Sequence, residues 1–184
     1  MRMMKWIGIA VLLTAVSVGE MEAQVLFGAH GSVTNLGTER AQVGDTWGLG
    51  ARLGYAIALA PSTAIVFEGV GEKFFPPCRT AECDLIGFQL NVLGTKYYNE
   101  STRAYAGLGF SYQDFAIEDD ASSVFVDDDA FGGNLIIGVS FVVAPSFQPF
   151  IEARFSALNG LREQASALFG FRVIPGVQRY FNDR

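Results

Sequence analysis

Hydrophobic and polar residues alternate along most of the chain with a period of two. The longest such stretch runs from Thr46 to Leu59. One set of its alternate positions is apolar: Trp47, Leu49, Ala51, Leu53, Tyr55, Ile57 and Leu59. The other set holds small residues and Arg52. A period of two predicts a β-strand, and this strand is much longer than the roughly five or six residues of an ordinary one.

Seven further stretches repeat the pattern and predict strands over 25–33, 65–68, 86–92, 104–112, 131–143, 151–155 and 167–181, the last bent at Pro175 and Gly176. Long polar loops are predicted at 34–45, 73–83 and 113–129, with a shorter one at 159–165. The remaining connections are tight turns at 60–62 and 145–146 and a moderate gap at 95–102. Short turns on one side and long loops on the other are typical of outer-membrane barrels. The sequence therefore predicts an all-β fold, an eight-stranded antiparallel up-and-down transmembrane β-barrel.

The register of the second strand predicts which face meets lipid. Outward apolar residues and an inward face of small residues with Arg52 suit a narrow membrane barrel. A shift of one residue would place Arg52 in lipid, at a cost of roughly 2–4 kcal/mol at the midplane. The alternative is a secreted soluble barrel of the lipocalin type, which would put its apolar face inside. The face rich in glycine and alanine is too small and too uncharged for a continuous solvent surface, so we favour the membrane barrel.

The N-terminus has the pattern of a secretory signal peptide. Arg2 and Lys5 precede an apolar stretch at 6–18, and small residues follow it. Cleavage is predicted after Gly19 or Ala23. Residues 1–23 are therefore assigned to the signal peptide and residues 24–184 to the barrel domain.

The two cysteines, Cys78 and Cys83, lie close together in the second long polar gap. Export to an oxidising compartment favours a disulfide between them that closes a loop. A redox-active pair is disfavoured because the spacing is not Cys-x-x-Cys. Zinc is disfavoured because only one distant histidine accompanies the two thiols.

Composition agrees with strands that cross a membrane. The chain is 50% hydrophobic with a mean hydropathy of +0.27, yet after residue 23 it has no apolar run long enough for a transmembrane helix. The aromatic content of 13% excludes disorder. The net charge of −6 makes nucleic acid an unfavourable partner. We find no motif for a cofactor.

The inward positions carry charge on several predicted strands. These ionisable residues are Arg52, Glu68, Glu152, Arg154 and Arg172. They are accompanied by the amides Gln89, Asn91 and Asn134. Because an unpaired buried charge is costly and the lumen of an eight-stranded barrel is filled by side chains, we expect a closed network of ion pairs. The alternative is a path for ions or solutes.

The acidic residues are concentrated in the third long gap. Its candidate calcium ligands are Asp119, Asp120, Asp127, Asp128 and Asp129. Carboxylates suit Ca²⁺, but the spacing is not that of an EF-hand, and we favour a solvated acidic surface over a metal site. Apolar residues at 124–126 interrupt it, which predicts either strands that continue beyond the membrane or an adhesive edge.

Three segments resemble the small bacterial outer-membrane β-barrel family of the OmpA/OmpX type. They are 103–110, with the sequence RAYAGLGF, 149–155, with PFIEARF, and 176–181, with GVQRYF. The last is similar to the C-terminal assembly signal of that family, through Gly176, Tyr180 and Phe181. The resemblance covers essentially the whole mature chain. It implies an outer-membrane location, contact with lipid and lipopolysaccharide, insertion by the barrel-assembly machinery and a monomeric state.

Three functions follow as hypotheses. The first is a structural or interaction role, through envelope integrity, adhesion or shielding of the surface, with an external ligand or host surface bound by the loops. The second is a lipid A-modifying enzyme, because His30 and Ser32 share one strand face and a histidine can activate a serine nucleophile. The third is a narrow transporter of small apolar solutes. We favour the first, which is not enzymatic.

Overall fold

The computed structural model describes residues 23–37, 42–60, 62–77, 83–99, 101–118, 125–144, 146–159, 161 and 163–175. Eight strands form one closed barrel in sequence order. They are β1 (Ala23–Gly37), β2 (Gln42–Ala60), β3 (Thr63–Phe75), β4 (Asp84–Asn99), β5 (Thr102–Glu118), β6 (Phe125–Phe141), β7 (Phe147–Leu158) and β8 (Gln164–Val173). All neighbours are antiparallel, and β1 pairs with β8 to close the sheet. The predicted fold class and strand number are confirmed.

The direction of the side chains also follows the predicted register. On β2, Trp47 is 53% exposed and Arg52 is 3% exposed, because apolar residues point outward and the interior takes the charge. Aromatic rings stack on the outer face near both barrel ends, Trp47 on Phe75 at 4.1 Å and Phe147 on Phe171 at 5.5 Å between centroids. Such aromatic girdles flank the lipid-facing band of transmembrane barrels.

The predicted loops are wrong in extent, because the strands continue into them. We call the end of the barrel at which the chain passes from β3 to β4 the loop end, and we call the opposite end the turn end. The connections at the loop end are only 38–41, 76–83, 119–124 and 159–163, and the gap predicted at 95–102 narrows to 100–101. Toward the loop end, beyond the part of the barrel whose outer face is apolar, the outward residues become polar. The alternation of hydrophobic and polar residues is therefore lost from the sequence there. The ladder persists there because its hydrogen bonds come from the backbone.

Glycines on the inner face make room for large side chains on the adjacent strands. Gly50 lies beside His30, and a Cβ at Gly50 would collide with that imidazole. Gly138 faces Tyr105 in the same way. This alternation of small and large residues fills the taper of a narrow barrel. The arrangement explains why many of the 21 glycines stand within strands.

Several predictions fall at the limits of the described chain. β1 begins at Ala23, and the signal peptide precedes the described residues. β8 ends at Val173, short of the predicted Phe181, since Ile174 and Pro175 leave the strand and proline lacks the backbone donor. The assembly signal at 176–181 lies outside the described residues and stays a prediction.

The cysteine pairing is likewise only partly in view. Cys83 lies immediately before β4 and is not a free thiol, whereas Cys78 lies outside the described residues. The disulfide between them stays a prediction. Among the described residues, no helix is long and apolar enough to cross a membrane.

Candidate functional site

The interior of the barrel is layered. One apolar cluster lies near the loop end and consists of Phe74, Leu85, Phe115, Ala130, Leu158 and Leu161. A second lies near the turn end and consists of Leu26, Ala56, Val66, Leu93, Tyr105, Ile136 and Ile174. Between them is a layer that we call the charged layer: Arg52, Glu68, Glu72, Glu152, Arg154 and Arg172. Each of its six members is at most 4% exposed.

Glu152 on β7 is the centre of the charged layer. Its carboxylate accepts hydrogen bonds from Arg52 and Arg154, each at 3.1 Å. Arg172 lies 3.6 Å away, and the hydroxyl of Tyr105 donates to the same carboxylate at 3.0 Å. One acidic side chain therefore ties together four strands, β2, β5, β7 and β8.

Two further carboxylates on β3 complete the charge balance. Glu68 accepts from Arg52 at 3.4 Å and from Arg172 at 3.3 Å. Glu72 accepts from Arg154 at 3.0 Å. Three guanidinium groups thus meet three carboxylates, and each carboxylate has at least one arginine partner. A balanced set of this kind avoids the cost of an unpaired buried charge.

Aromatic faces hold the arginines in place. The guanidinium groups of Arg52 and Arg172 lie over the ring of Phe150, at 4.3 and 4.6 Å from its centroid. Arg172 also lies 4.5 Å from the ring of Tyr105. Cation–π contacts strengthen when they are desolvated, so these rings fix the planes in which the arginines meet their carboxylates.

Amide side chains continue the network toward the loop end. Asn134 donates to Gln89 at 3.2 Å and to Asn91 at 3.0 Å. Gln113 and Gln164 exchange hydrogen bonds at 3.0 and 3.1 Å across the barrel. These contacts join strands that are not neighbours in the sheet, and they place amide side chains across the lumen.

All five ionisable residues expected inside the barrel lie in the charged layer, but the sequence reasoning missed Glu72. The predicted third strand ended at Glu68, while β3 continues to Phe75. Counting in twos from Glu68 through Val70 would have reached Glu72 on the inner face. Glu72 makes the layer balanced, where the residues named from the sequence left it positive.

The structure places His30 and Ser32 inside the barrel, near Glu72. Nε2 of His30 lies 3.5 Å from Oε1 of Glu72, and the hydroxyl of Ser32 donates to the same oxygen. Both side chains are buried. Ser32 therefore donates to Glu72 and not to His30, so the bond by which a histidine would activate the serine is replaced by a link between β1 and β3.

The acidic segment forms part of a projecting hairpin, defined as β5 and β6 beyond the point where β6 leaves β7. The β6–β7 ladder stops at Gly132 opposite Leu158, whereas the β5–β6 ladder continues to Phe125. Asn159 closes the junction, since Phe131 N–H donates to its side chain at 2.7 Å and its own N–H donates to Phe131 C=O at 3.0 Å. Among the strands that the structure describes, residues 125–130 thus have no partner on their β7 side.

The predicted calcium ligands are only partly in view. Asp128 and Asp129 are exposed on β6, and Asp127 belongs to the same strand, whereas Asp119 and Asp120 lie outside the described residues. Within the described part of the chain, no three histidine, cysteine or acidic side chains come close enough together to hold a metal ion.

Comparisons with solved structures agree on the architecture. Ail, the attachment invasion locus protein of Yersinia pestis, has a TM-score of 0.61 at 13% identity, over 84% of this chain and 99% of that chain. Neisserial surface protein A has a TM-score of 0.54 at 15% identity, over 82% of this chain and 97% of that chain. The outer membrane enzyme PagL has a TM-score of 0.51 at 11% identity, over 79% and 98%. The fold is that of a small outer-membrane β-barrel.

The outer-membrane barrel fold confirms the OmpA/OmpX-type architecture that the three sequence segments implied. No protein-family profile matches the sequence, and no curated protein matches it. The similar structures include an attachment protein and an enzyme. At these identities the likeness concerns the fold, which this group of proteins combines with more than one activity.

Proposed function

We propose that this chain is an outer-membrane barrel that does not conduct and that acts through its exterior, in envelope integrity or in contact with other molecules at the cell surface. The observation that carries the proposal is the charged layer, six buried ionisable residues between two apolar clusters. Each proposed role at the exterior requires a rigid barrel, and the hydrogen-bonded network around Glu152 makes the barrel rigid.

The layered interior favours a closed lumen over an ion path. A permeating ion would have to leave water at the apolar cluster near either end, whose side chains cannot replace its hydration. In the middle it would have to break the contacts of Arg52, Arg154 or Arg172 with their carboxylates. The lumen of eight strands is only wide enough for side chains.

The same layer argues against the transport of small apolar solutes. Such a solute would enter through an apolar cluster but would then meet buried charges, whose partners it cannot replace. We therefore do not favour the transporter hypothesis.

A role without catalysis is favoured by the placement of His30 and Ser32. A lipid substrate would contact the outer apolar face, whereas both side chains lie inside the barrel and contact Glu72. The similarity of this chain to PagL concerns the fold and assigns no catalytic residue to this chain.

Contact at the surface is favoured by the projecting hairpin. It carries exposed carboxylates, including Asp128 and Asp129, beyond the end of the β6–β7 ladder. Ail has been solved with the heparin analogue sucrose octasulfate. An acidic hairpin would repel such a polyanion, so we propose a partner of the opposite charge for this chain.

We further propose that lipid and lipopolysaccharide contact the apolar outer face of the barrel. The barrel-assembly machinery inserts the protein into the membrane, and the protein is a monomer.

The proposal is tested by recording currents from the refolded protein in planar lipid bilayers. We expect no stable open level of porin size, at neutral pH and moderate voltage. Glu152→Gln supplies a matched variant, since it removes one charge from the layer at constant shape. Stable porin-sized channels from the unmodified protein would refute the proposed closed interior.

A further inference from the structure

Among the described strands, the edge of β6 in the projecting hairpin is unpaired. Its residues 125–130 pair with β5 on one side, and no ladder with another described strand continues along the other side. At roughly 3.4 Å per residue, this edge of six residues is about 20 Å long. An exposed row of backbone donors and acceptors is a template for another extended chain.

The direction of the free groups follows from the junction. The N–H and C=O of Phe131 point toward the β7 side, since both are bonded to Asn159. In an antiparallel sheet alternate residues direct these groups to the same edge. The free edge therefore presents the backbone N–H and C=O groups of Asp129, Asp127 and Phe125.

One of these groups is covered by an acidic side chain. The N–H of Asp129 donates to Oδ1 of Asp128 at 2.9 Å. The carboxylate of Asp128 thus occupies a donor that an added strand would need. A cationic side chain on the incoming strand can take that carboxylate as its ion-pair partner and leave the amide to the strand's own carbonyl.

Charge at the edge discriminates between occupants. Three consecutive aspartates occupy 127–129, and the chain carries a net charge of −6. Pairing of this edge with the same edge of a second copy would bring the two acidic runs together, and like charges directly opposite each other on neighbouring strands are destabilising. Charged residues on edge strands are a known protection against such self-association.

We propose that the free edge of β6 binds an extended, cationic polypeptide segment of another protein as an added strand, with Asp128 selecting its positive side chains. The inference rests on the surface role proposed above and specifies the partner for it. The backbone of the edge supplies the affinity, and the carboxylates supply the charge preference, as in other cases of strand addition.

The test uses the full barrel in detergent micelles or lipid nanodiscs and labelled synthetic peptides of eight alternating residues. The probe is a peptide of alternating lysine and valine, read by fluorescence anisotropy at low ionic strength. One comparison peptide replaces lysine with glutamate. The other keeps the lysines and carries methyl groups on its backbone amides, so that it keeps its charge and loses its donors.

We expect binding of the lysine peptide only. The paired change of Asp128→Asn and Asp129→Asn should weaken it about tenfold, since opposite-charge pairs across strands are lost. Asp45→Asn, which removes an exposed carboxylate from β2 away from the edge, should leave it unchanged. Amide exchange adds a structural readout, because the N–H groups of Asp127 and Asp129 should become protected when the peptide is bound.

Several results would overturn the proposal. Equal binding of the methylated peptide would mean simple charge attraction, and equal binding of the glutamate peptide would remove the charge preference. Dimers that form through this edge, with no peptide bound, would make a second copy the occupant. Absence of binding by every peptide would remove the added strand altogether. Each of these results is separate from the bilayer recording, because a closed barrel can lack the partner and a conducting barrel can still bind it.

Discussion

The charged layer and the projecting hairpin both contain acidic side chains, but the environments of these side chains differ. In the layer, each carboxylate meets a guanidinium group and is shielded from water. In the hairpin, Asp114 stands opposite Asp129 in the ladder, and both are exposed. Carboxylates buried without partners would be very costly, whereas solvated ones cost little. Acidic residues therefore stabilise the interior where they are paired with arginines, and they stay exposed to solvent where they are not.

The largest expected effect comes from breaking the charged layer at its centre. Glu152→Gln leaves Arg52, Arg154 and Arg172 with one carboxylate fewer. Removal of one partner from a buried ion pair typically costs 3–5 kcal/mol. We expect a loss of roughly this size in the free energy of unfolding, measured by urea titration of the refolded barrel with the change in electrophoretic mobility on heating as the folded-state signal.

Asp128→Asn is the matched change in the hairpin. It also removes one carboxylate but leaves no buried arginine behind, so the free energy of unfolding should change by less than about 0.5 kcal/mol. A loss as large as that of Glu152→Gln would erase the distinction between the two regions.

The next effect concerns the packing around the layer. Gly50→Val would drive a branched side chain into the imidazole of His30, and overpacking of this kind costs about 1–3 kcal/mol. Adding His30→Ala should recover part of the loss, because it opens the space that the valine needs. Unfolding titrations of both single variants and the double variant measure the coupling. Strictly additive losses would contradict the proposed contact.

A smaller effect is expected at the junction between the two regions. Asn159→Ala removes the side chain that accepts the N–H of Phe131. The loss of one such hydrogen bond is worth about 1 kcal/mol. Amide exchange at Phe131 should accelerate in this variant while exchange within the β6–β7 ladder stays slow. Unchanged exchange at Phe131 would mean that Asn159 does not close the junction.

A smaller effect than that of Asn159→Ala is expected for the exposed pair of Lys73 and Asp84. Their side chains are about half exposed and lie 3.1 Å apart. Exposed pairs contribute roughly 0–1 kcal/mol, so Asp84→Asn should shift the unfolding midpoint only slightly. A double-mutant cycle with Lys73→Met measures the coupling, and a value near that of the buried pairs would contradict the role we give to burial.

The sequence predicted those features of the fold that depend on a single strand. The alternation around Arg52 predicted both the strand and the side that faces lipid, because a shift of the strand register by one residue would have placed Arg52 in lipid. It failed where strands leave the apolar band. There, as after Glu68 on β3 and around Asp114 on β5, the ladder continues through residues that no longer alternate between apolar and polar.

The site required knowledge of several strands together. The five expected charges could be placed inside from the period alone, but which carboxylate meets which arginine depends on the barrel register. Glu152 became the centre because β2, β7 and β8 meet around it. The free edge of β6 follows from unequal strand lengths, β6 having 17 residues and β7 having 12. No local pattern near Asp128 shows that difference.

Amide hydrogen exchange on the refolded barrel in lipid nanodiscs compares the charged layer with the free edge of β6 in a single measurement. We expect slow exchange for the ladder amides of β2 and β7 around Arg52 and Glu152. In the same sample we expect fast exchange for the edge-facing amides of Phe125 and Asp127. Uniform protection along β6, or fast exchange around the charged layer, would contradict this expectation.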